Sequence, residues 1–227
     1  MRSLTRQGGA ASAAEAINYV NHNLAIQAAA AERRRREARE LLQSTSYTLV
    51  SLSQIGRRVA ALAAEIHRRR IGRIVAVQGF LDLITSLRIQ IFSFRDTDRY
   101  TLAVHELRRG KLYPVARAGH AEVPSRNRVW ALGEGHVGQS VEHEQMMVSG
   151  DIRATRAWIH HPSSEDTDRL NCVSVMARPY LRPDGRPGGA VTLTSSRVDH
   201  FTNLDQPAAV AFDMTVRFIS MLMMEVH

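Results

Sequence analysis

The chain has little of what a disulfide-bonded or membrane-embedded protein requires. It contains a single cysteine, Cys172, so neither an internal disulfide nor a site with four thiolate ligands can form within it. No uncharged apolar run reaches the roughly 18 residues of a membrane span, and the nearest candidate, IVAVQGFLDLI, is interrupted by Asp82. The first residues lack an apolar core of signal-peptide length. We therefore expect a soluble, cytoplasmic protein with no membrane partner.

Lysine is also scarce, because Lys111 is the only lysine among 30 basic residues. The charge is unevenly distributed: residues 1–95 carry a net charge of +9, and residues 96–227 carry −1. A basic surface can attract nucleic acid or anionic lipid. However, arginine is used along the whole chain, and the arginine run at 33–36 lies among glutamates, as on a solvated helix face. We expect no nucleic-acid partner, and a basic helical arm that binds nucleic acid is kept as an alternative.

Proline is absent from residues 11–94, where helix-forming residues dominate. The sequence predicts helices over 12–43 and 47–94, separated near the serines and threonine at 44–46. A narrow apolar seam with alternating spacings of three and four is formed by Leu52, Ile55, Val59, Leu62 and Ile66. A similar C-terminal stripe is formed by Leu204, Ala208, Ala211, Thr215, Phe218 and Leu222. Because so narrow a seam is typical of helix pairing, we predict a homodimer built by helices 47–94 and 203–226.

Between these helices the periodicity becomes that of β-strands. Residues 100–107 alternate between apolar and polar, Arg109 and Gly110 form a turn, and KLYPVARAG completes a hairpin. Further strands are predicted at 146–148, 171–181 and 190–196, with a Pro- and Gly-rich turn before the last of them. This order of elements predicts an α+β fold with an antiparallel sheet.

The segment GEGHVG matches the G-x-G-x-x-G pattern of dinucleotide-binding proteins. Asp151 follows Gly133 by 18 positions, which is close to the spacing of the acidic residue in that fingerprint. The fingerprint also requires a buried strand before the first glycine and a long crossover helix after the last. Only VWAL precedes Gly133, and the helix available after Gly138 is about as long as QSVEHE. The neighbouring elements are hairpins, so we exclude dinucleotide binding.

The same segment resembles the centre of a GAF domain. The matching pattern is L-G-x-G-x-V-G, a short helix and a strand that ends in V-x-x-D, formed by Leu132, Gly133, Gly135, Val137, Gly138, Val148 and Asp151. The closing hairpin and last helix of that family are also similar to this sequence, so the resemblance covers roughly residues 90–227. It implies a six-stranded antiparallel sheet, helices on one face that pack as a dimer, and a small-molecule pocket on the other face. We therefore divide the chain into a helical dimerisation segment, 1–94, and a GAF-like domain, 95–227.

The resemblance places the loop at 151–170 over the pocket. The residues of this loop that we predict to bind ligand are Arg153, Arg156, Trp158, His160 and His161. Tryptophan offers a stacking surface and arginine binds anions, so the expected ligand is small and anionic or nucleotide-like. The alternative is an ordinary polar loop anchored by Trp158. We predict no metal site, because adjacent histidines point apart and no third ligand has suitable spacing. The cofactor is unknown.

The sequence gives little support for catalysis. GAF-fold enzymes that resemble free methionine sulfoxide reductases need several cysteines, and no second thiol exists beside Cys172. We interpret Cys172 as a small core residue of a buried strand. No kinase, cyclase, phosphodiesterase or helix-turn-helix sequence is visible, so a sensor of this kind would act on a separate effector protein through its helices. The alternative is a ligand-free dimerisation scaffold.

Overall fold

The structure, a computed structural model, describes residues 4–125, 127–154 and 170–224. The chain divides into two units, Met1–Leu49 and Val50–His227. The first unit is helical from Leu4 onward and forms the first part of helix α1, Leu4–His67. The second unit contains the end of α1 and all the other elements. The boundary therefore lies about 45 residues before the one predicted at residue 94.

The predicted helix break at 44–46 is wrong. These small hydroxyl residues stay helical, because neither proline nor glycine interrupts the backbone there. Helix α1 instead ends at His67, where Arg69 adopts a positive φ of 55°. Two further helices follow, α2 over Arg73–Ser86 and α3 over Arg88–Phe92. The arginine cluster at 68–70 and Gly72 separate α1 from α2, in keeping with the shift in apolar phase seen at this point of the sequence.

Six antiparallel strands form one sheet. They are β1 Tyr100–Arg108, β2 Lys111–Gly119, β3 Trp130–Ala131, β4 Met147–Ser149, β5 Ser174–Leu181 and β6 Pro187–Ser195. Their spatial order is β3-β2-β1-β6-β5-β4. The β1–β2 turn places both Arg109 and Gly110 at positive φ, 50° and 75°, which is the conformation that a two-residue hairpin turn requires. The predicted α+β fold with an antiparallel sheet is confirmed.

One face of the sheet packs against helices and holds the main core. The seam residues Ile55, Val59, Leu62 and Ile66 are all at most 6% exposed and belong to the same apolar cluster as Phe80 of α2. The end of α1 is therefore part of the sheet domain, which explains why the unit boundary lies at residues 49–50 and not at residue 94. It also means that this seam is covered within one chain and does not by itself require a second copy. The side chain of Leu52 lies outside the described residues.

The last helix, α5 over Pro207–Met224, packs on β5, α2 and α3. The turn that leads into it is held by Asn203, whose Oδ1 accepts hydrogen bonds from the backbone N–H groups of Asp205 and Gln206. Leu204, the first residue of the predicted stripe, precedes the helix and is exposed. The buried face of α5 is formed by Ala208, Ala209, Phe212, Thr215, Val216, Ile219, Ser220, Leu222 and Met223. Among the described helices, α5 alone has the length and apolar composition of a membrane span, and half of it is buried inside the domain.

The opposite face of the sheet carries the glycine motif and the short helix α4, Gly135–Glu142. Gly133 and Gly135 adopt φ values of 75° and 59°, which side chains other than glycine rarely adopt. A Cβ at Gly138 would collide with the carbonyl oxygen of Ala131. The motif therefore makes a tight loop that presses α4 onto the preceding strand, which agrees with rejecting a dinucleotide fingerprint.

Candidate functional site

A cavity of about 180 Å³ lies on the face of the sheet that carries α4. Its floor is made by β1, β2, β5 and β6, and its walls by the loop after β2, the start of α4, Ile152 and the segment before β5. It is lined by Thr101, Ala103, His105, Pro114, Arg117, Val123, Pro124, Arg128, Trp130, Gly135, His136, Val137, Ile152, Asn171, Cys172, Val175, Thr192 and Thr194. The lining is largely apolar and includes two arginines and two histidines. This is the composition of a pocket that orients a small ligand with a few polar groups.

A β-bulge brings two residues of β2 to the cavity. The pairing of β1 with β2 shifts between Val104 and His105, so that Ala116 faces Val104 while Pro114 faces His105. Side chains normally alternate between the two faces of a strand, and residues three apart point to opposite sides. The extra residue, Val115, changes this, so that Pro114 and Arg117 both line the cavity.

Two arginines concentrate positive charge at the cavity. Arg117 donates a hydrogen bond from Nη2 to the Thr101 hydroxyl at 3.2 Å. Its pKa is lowered, first by burial and then by the positive charge of Arg128. Such a site favours an anion, because a bound anion relieves the repulsion between the two arginines.

The backbone of Arg117 is held by helix α2. Its N–H donates to Gln78 Oε1 at 3.0 Å, and its carbonyl oxygen accepts from Gln78 Nε2 at 2.9 Å. Strand β3 pairs with β2 only at Lys111 and Leu112, so β2 has an open edge at Arg117. The Gln78 amide pairs with the backbone N–H and carbonyl groups at that edge, and so connects β2 to the helical layer. Gln78 Nε2 also donates to Asp82 Oδ1 at 2.9 Å, which orients the amide.

His105 is buried in the floor of the cavity, with 6% of its surface exposed. Its Nδ1 has no hydrogen-bond partner among the described residues. Burial lowers the pKa of His105 from 6.5 to about 4, so the ring is neutral near pH 7. Burial also lowers the pKa of His136, which lies in the first turn of α4 beside the cavity. The N-terminus of α4 adds partial positive charge on the same side.

Trp130 supplies a flat apolar wall. Its ring lies so close to Gly135 that a Cβ on that glycine would come within 2.9 Å of the indole Cζ3. The absence of a side chain at Gly135 therefore leaves room for the ring. Val137, Ile152 and Val175 continue this wall around the cavity. A ligand with a planar apolar body fits a lining of this kind.

Cys172 does not lie where the sequence predicted. Strand β5 begins two residues later, at Ser174, and Cys172 is a half-buried residue that lines the cavity. Its neighbour Val173 is buried, so the apolar pattern was interpreted correctly, but the strand begins too late to include the cysteine. Within the described ranges, no group of three histidine, cysteine or acidic side chains is placed to hold a metal ion.

Arg99 ties together the loops that border the cavity. Its Nε donates to Glu122 Oε2 at 2.9 Å, and its Nη1 donates to Asn171 Oδ1 at 3.2 Å. Asn171 lines the cavity directly. This single side chain therefore fixes the loop after β2 relative to the segment that leads into β5.

The predicted site residues divide into one that the structure describes and four that it does not. Arg153 donates from Nη2 to Asp151 Oδ2 at 2.8 Å and is not among the described lining residues. Its hydrogen bond lowers the pKa of Asp151. The other four, Arg156, Trp158, His160 and His161, lie outside the described residues, so their assignment stays a prediction. Ile152 and Asn171, on either side of this segment, both line the cavity.

Sequence reasoning missed five residues that line the cavity: His105, Arg117, Arg128, Trp130 and His136. Strand alternation could have identified His105, because it occupies an inward position of the first hairpin. The glycine motif could have indicated Trp130 and His136, which lie directly around it. No local signal identifies Arg117, because its direction depends on the bulge in β2.

The domain has the GAF fold, as comparison with solved structures shows. A GAF sensor protein from Burkholderia vietnamiensis is 18% identical with a TM-score of 0.51, over 73% of this chain and 92% of that one. A free methionine-R-sulfoxide reductase from Neisseria meningitidis, in complex with its substrate, is 17% identical with a TM-score of 0.52, over 73% and 83%. Part of a methyl-accepting chemotaxis protein is 15% identical with a TM-score of 0.51, over 76% and 95%.

No family model and no curated protein matches the sequence. At these identities the structural similarity establishes the fold alone. The predicted resemblance to a GAF domain is confirmed at that level, and the fold is shared by sensors and by a reductase.

Proposed function

We propose that this GAF-fold chain is a cytoplasmic sensor that binds a small anionic ligand in the cavity above its sheet and catalyses no reaction. The observation that carries the proposal is the cationic lining of the cavity, where burial and the charge of Arg128 lower the pKa of Arg117. Two like charges in a partly desolvated site repel each other, and a bound anion removes that repulsion. Guanidinium groups bind carboxylate or phosphate oxygens in pairs of charge-assisted hydrogen bonds.

The neighbouring groups support an anion rather than a neutral ligand. The first turn of α4 lies at the cavity through Gly135, His136 and Val137. The partial positive charge of a helix N-terminus is typically worth about 0.3–1 kcal/mol to a nearby anion. The Thr101 hydroxyl already accepts from Arg117, so its own proton remains available to a ligand oxygen.

Signal output is proposed to pass through the helical layer to a separate effector protein. Gln78 binds both backbone polar groups of Arg117 and belongs to α2. A ligand that pulls on Arg117 would therefore favour one position of α2 over another, and a partner could distinguish the two. We propose that the functional unit is a homodimer. The exposed apolar residues Val75 of α2 and Val210 and Met221 of α5 are candidates for its contact surface.

A reductase is the competing function, because Cys172 lines the cavity and a methionine sulfoxide reductase shares the fold. A thiol oxidised to a sulfenic acid is commonly restored by condensation with a second thiol. The chain holds no second cysteine. Ligand binding therefore accounts for the cavity better than a redox cycle completed within one chain.

The proposal is tested by thermal unfolding in the presence of a panel of small carboxylates, phosphates and sulfates. At 100 times its Kd, a bound anion should stabilise the parent by about 2.7 kcal/mol. Arg117→Gln and Arg128→Gln should each weaken that anion's binding at least tenfold. Arg57→Gln, at an exposed position of α1, is the matched control and should behave like the parent. Equal stabilisation of all four proteins, or of none, would refute an anion site in the cavity.

A further inference from the structure

We infer, on the premise that a separate effector protein reads the helical layer, that this effector docks through an acidic segment on one end of the sheet domain. This surface, the basic end, is made by the α1–α2 connection with the first residue of α2, 68–73, the β1–β2 turn, 106–111, and the β5–β6 turn, 181–187. These segments carry nine arginine or lysine residues and only two carboxylates, Glu106 and Asp184. So large an excess of positive charge favours a partner of the opposite charge.

Ion pairs and hydrogen bonds hold the three segments together. Arg73 donates from Nη2 to Glu106 Oε1 at 3.2 Å, and Arg108 donates from Nε to Glu106 Oε2 at 2.9 Å. Arg182 donates from Nη2 to the carbonyl oxygen of Leu107 at 3.1 Å. The Glu106 side chain is 15% exposed, whereas the side chains of Arg73 and Arg108 are 42% and 57% exposed. These guanidinium groups are therefore held in place and remain accessible to a partner.

Other cations of the basic end have no internal counter-charge. Arg70, Arg109 and Arg186 are exposed, and their side chains form no ion pair with another described residue. Asp184 Oδ1 accepts a hydrogen bond from the backbone N–H of Arg186 at 3.0 Å, which holds this carboxylate within its own turn. Like charges gathered on one surface repel one another, and a partner that supplies carboxylates removes that repulsion.

The chemistry of the basic end favours a protein over a nucleic acid or a membrane. The three segments contain no aromatic residue on which an unpaired base could stack. Leu181 is 43% exposed beside Arg182 and offers an apolar contact that a phosphate backbone does not match. Guanidinium groups fixed by internal bonds suit the bidentate geometry of carboxylates, a precision that a fluid lipid surface does not require. A two-fold contact between copies of this chain through the basic end would place like charges against each other.

The basic end is also the part of the surface nearest to the proposed route of the signal. Arg73 is the first residue of α2, the helix whose Gln78 holds the backbone of Arg117. Glu106 directly follows His105, which lines the cavity from the other face of β1. An effector bound at Arg73 and Arg108 therefore contacts both the helix and the strand that border the cavity.

The test measures binding of three fluorescent probes to the whole chain: a peptide of Glu-Glu-Leu repeats, an oligothymidylate with the same number of negative charges, and phosphatidylserine vesicles. At an ionic strength of about 0.15 M, the peptide should bind several times more tightly than the oligothymidylate. The triple variant Arg70→Gln, Arg109→Gln, Arg186→Gln should bind the peptide about tenfold more weakly, since each exposed ion pair contributes a little. Because these side chains have no internal partner, the contacts around Glu106 stay intact and the variant should fold.

The matched control is the triple variant Arg33→Gln, Arg35→Gln, Arg39→Gln, which removes the same charge from exposed positions of α1. It should bind the peptide like the parent. Equal weakening by the two triple variants would overturn the inference, because net charge and not the basic end would then account for binding. A parent that does not bind the peptide would overturn it as well.

The other two probes identify a different occupant. If the oligothymidylate binds as tightly as the peptide, or if loss of the three arginines affects only the vesicles, the basic end would belong to a nucleic acid or to a membrane, and the inference would be wrong. All these measurements are made without a small anion. Their failure therefore leaves the anion site standing, and failure of the thermal panel would leave the docking surface standing.

Discussion

Replacing Gln78 with methionine tests whether the helical layer holds the cavity wall. Methionine has nearly the same length and volume but cannot form hydrogen bonds, so the packing on α2 is kept. The substitution removes both bonds to the Arg117 backbone, at 2.9 and 3.0 Å, from a partly buried strand edge. A hydrogen bond contributes about 1 kcal/mol, and an unsatisfied buried group costs more. We expect a loss of about 2 kcal/mol in the free energy of unfolding.

Denaturant unfolding followed by circular dichroism measures this loss directly. For a domain of this size, 2 kcal/mol lowers the Tm by about 4–8 °C. Gln54→Met, at an exposed position of α1, is the matched control and should change stability by less than about 0.5 kcal/mol. If the Gln78 variant unfolds at the same denaturant concentration as the control, water satisfies the β2 edge equally well. The proposed route from cavity to helix would then lose its physical basis.

Four further predictions follow from the structure. The pKa of His105 is about 4 in the folded chain, against 6.5 for an unperturbed histidine, so its contribution to stability is complete above pH 6.5 and falls as pH drops toward 4. Between pH 7 and about pH 5 the free energy of unfolding of the parent should fall by about 2 kcal/mol more than that of His105→Leu, and equal pH profiles would contradict this. Gly138→Ala should destabilise by about 1–3 kcal/mol through its clash with the Ala131 carbonyl oxygen, whereas Gly56→Ala, with open space around it in a helix, should stabilise by about 0.5–1 kcal/mol. Cys172→Ser should fold like the parent, and neither protein should show activity in a methionine sulfoxide reductase assay. Activity in the parent that the variant lacks would contradict a binding function. Analytical ultracentrifugation should show a dimer that Met221→Asp, at a site 53% exposed, converts to monomer, and a monomeric parent would disprove the homodimer.

The sheet was predictable because strand alternation and turn chemistry are local. Residues 100–107 carry a strand-like pattern, and Arg109 and Gly110 supply a turn that the hairpin accepts. The glycine motif was also interpreted correctly once its neighbours were considered. The hairpin and the glycine motif are each encoded within a short segment, so the sequence of that segment was enough to predict them.

The partner of the α1 seam could not be predicted in the same way. Spacings of three and four show that Ile55, Val59, Leu62 and Ile66 cover an apolar surface, but not which surface. In the structure that surface belongs to the same chain. Periodicity establishes that a face is buried, and only the tertiary fold identifies what buries it.

The cavity residues depended on long-range geometry. Arg117 reaches the cavity because β2 bulges at Val115, whereas His105 follows the ordinary alternation of β1 with Thr101 and Ala103. The prediction instead relied on the composition of the loop at 151–170, whose only described candidate, Arg153, pairs with Asp151. The anionic character of the proposed ligand was inferred from that loop, and it is now supported by different arginines.

The central claim is that the cavity above the sheet binds a small anion between Arg117 and Arg128. Its most direct test is a crystal structure of the parent grown with the anion that stabilises it most in the thermal panel. We predict density for the anion in the cavity, with its oxygens within hydrogen-bond distance of both guanidinium groups. An empty cavity, with the anion bound instead at the arginines of residues 33–36 or at another surface position, would contradict the account.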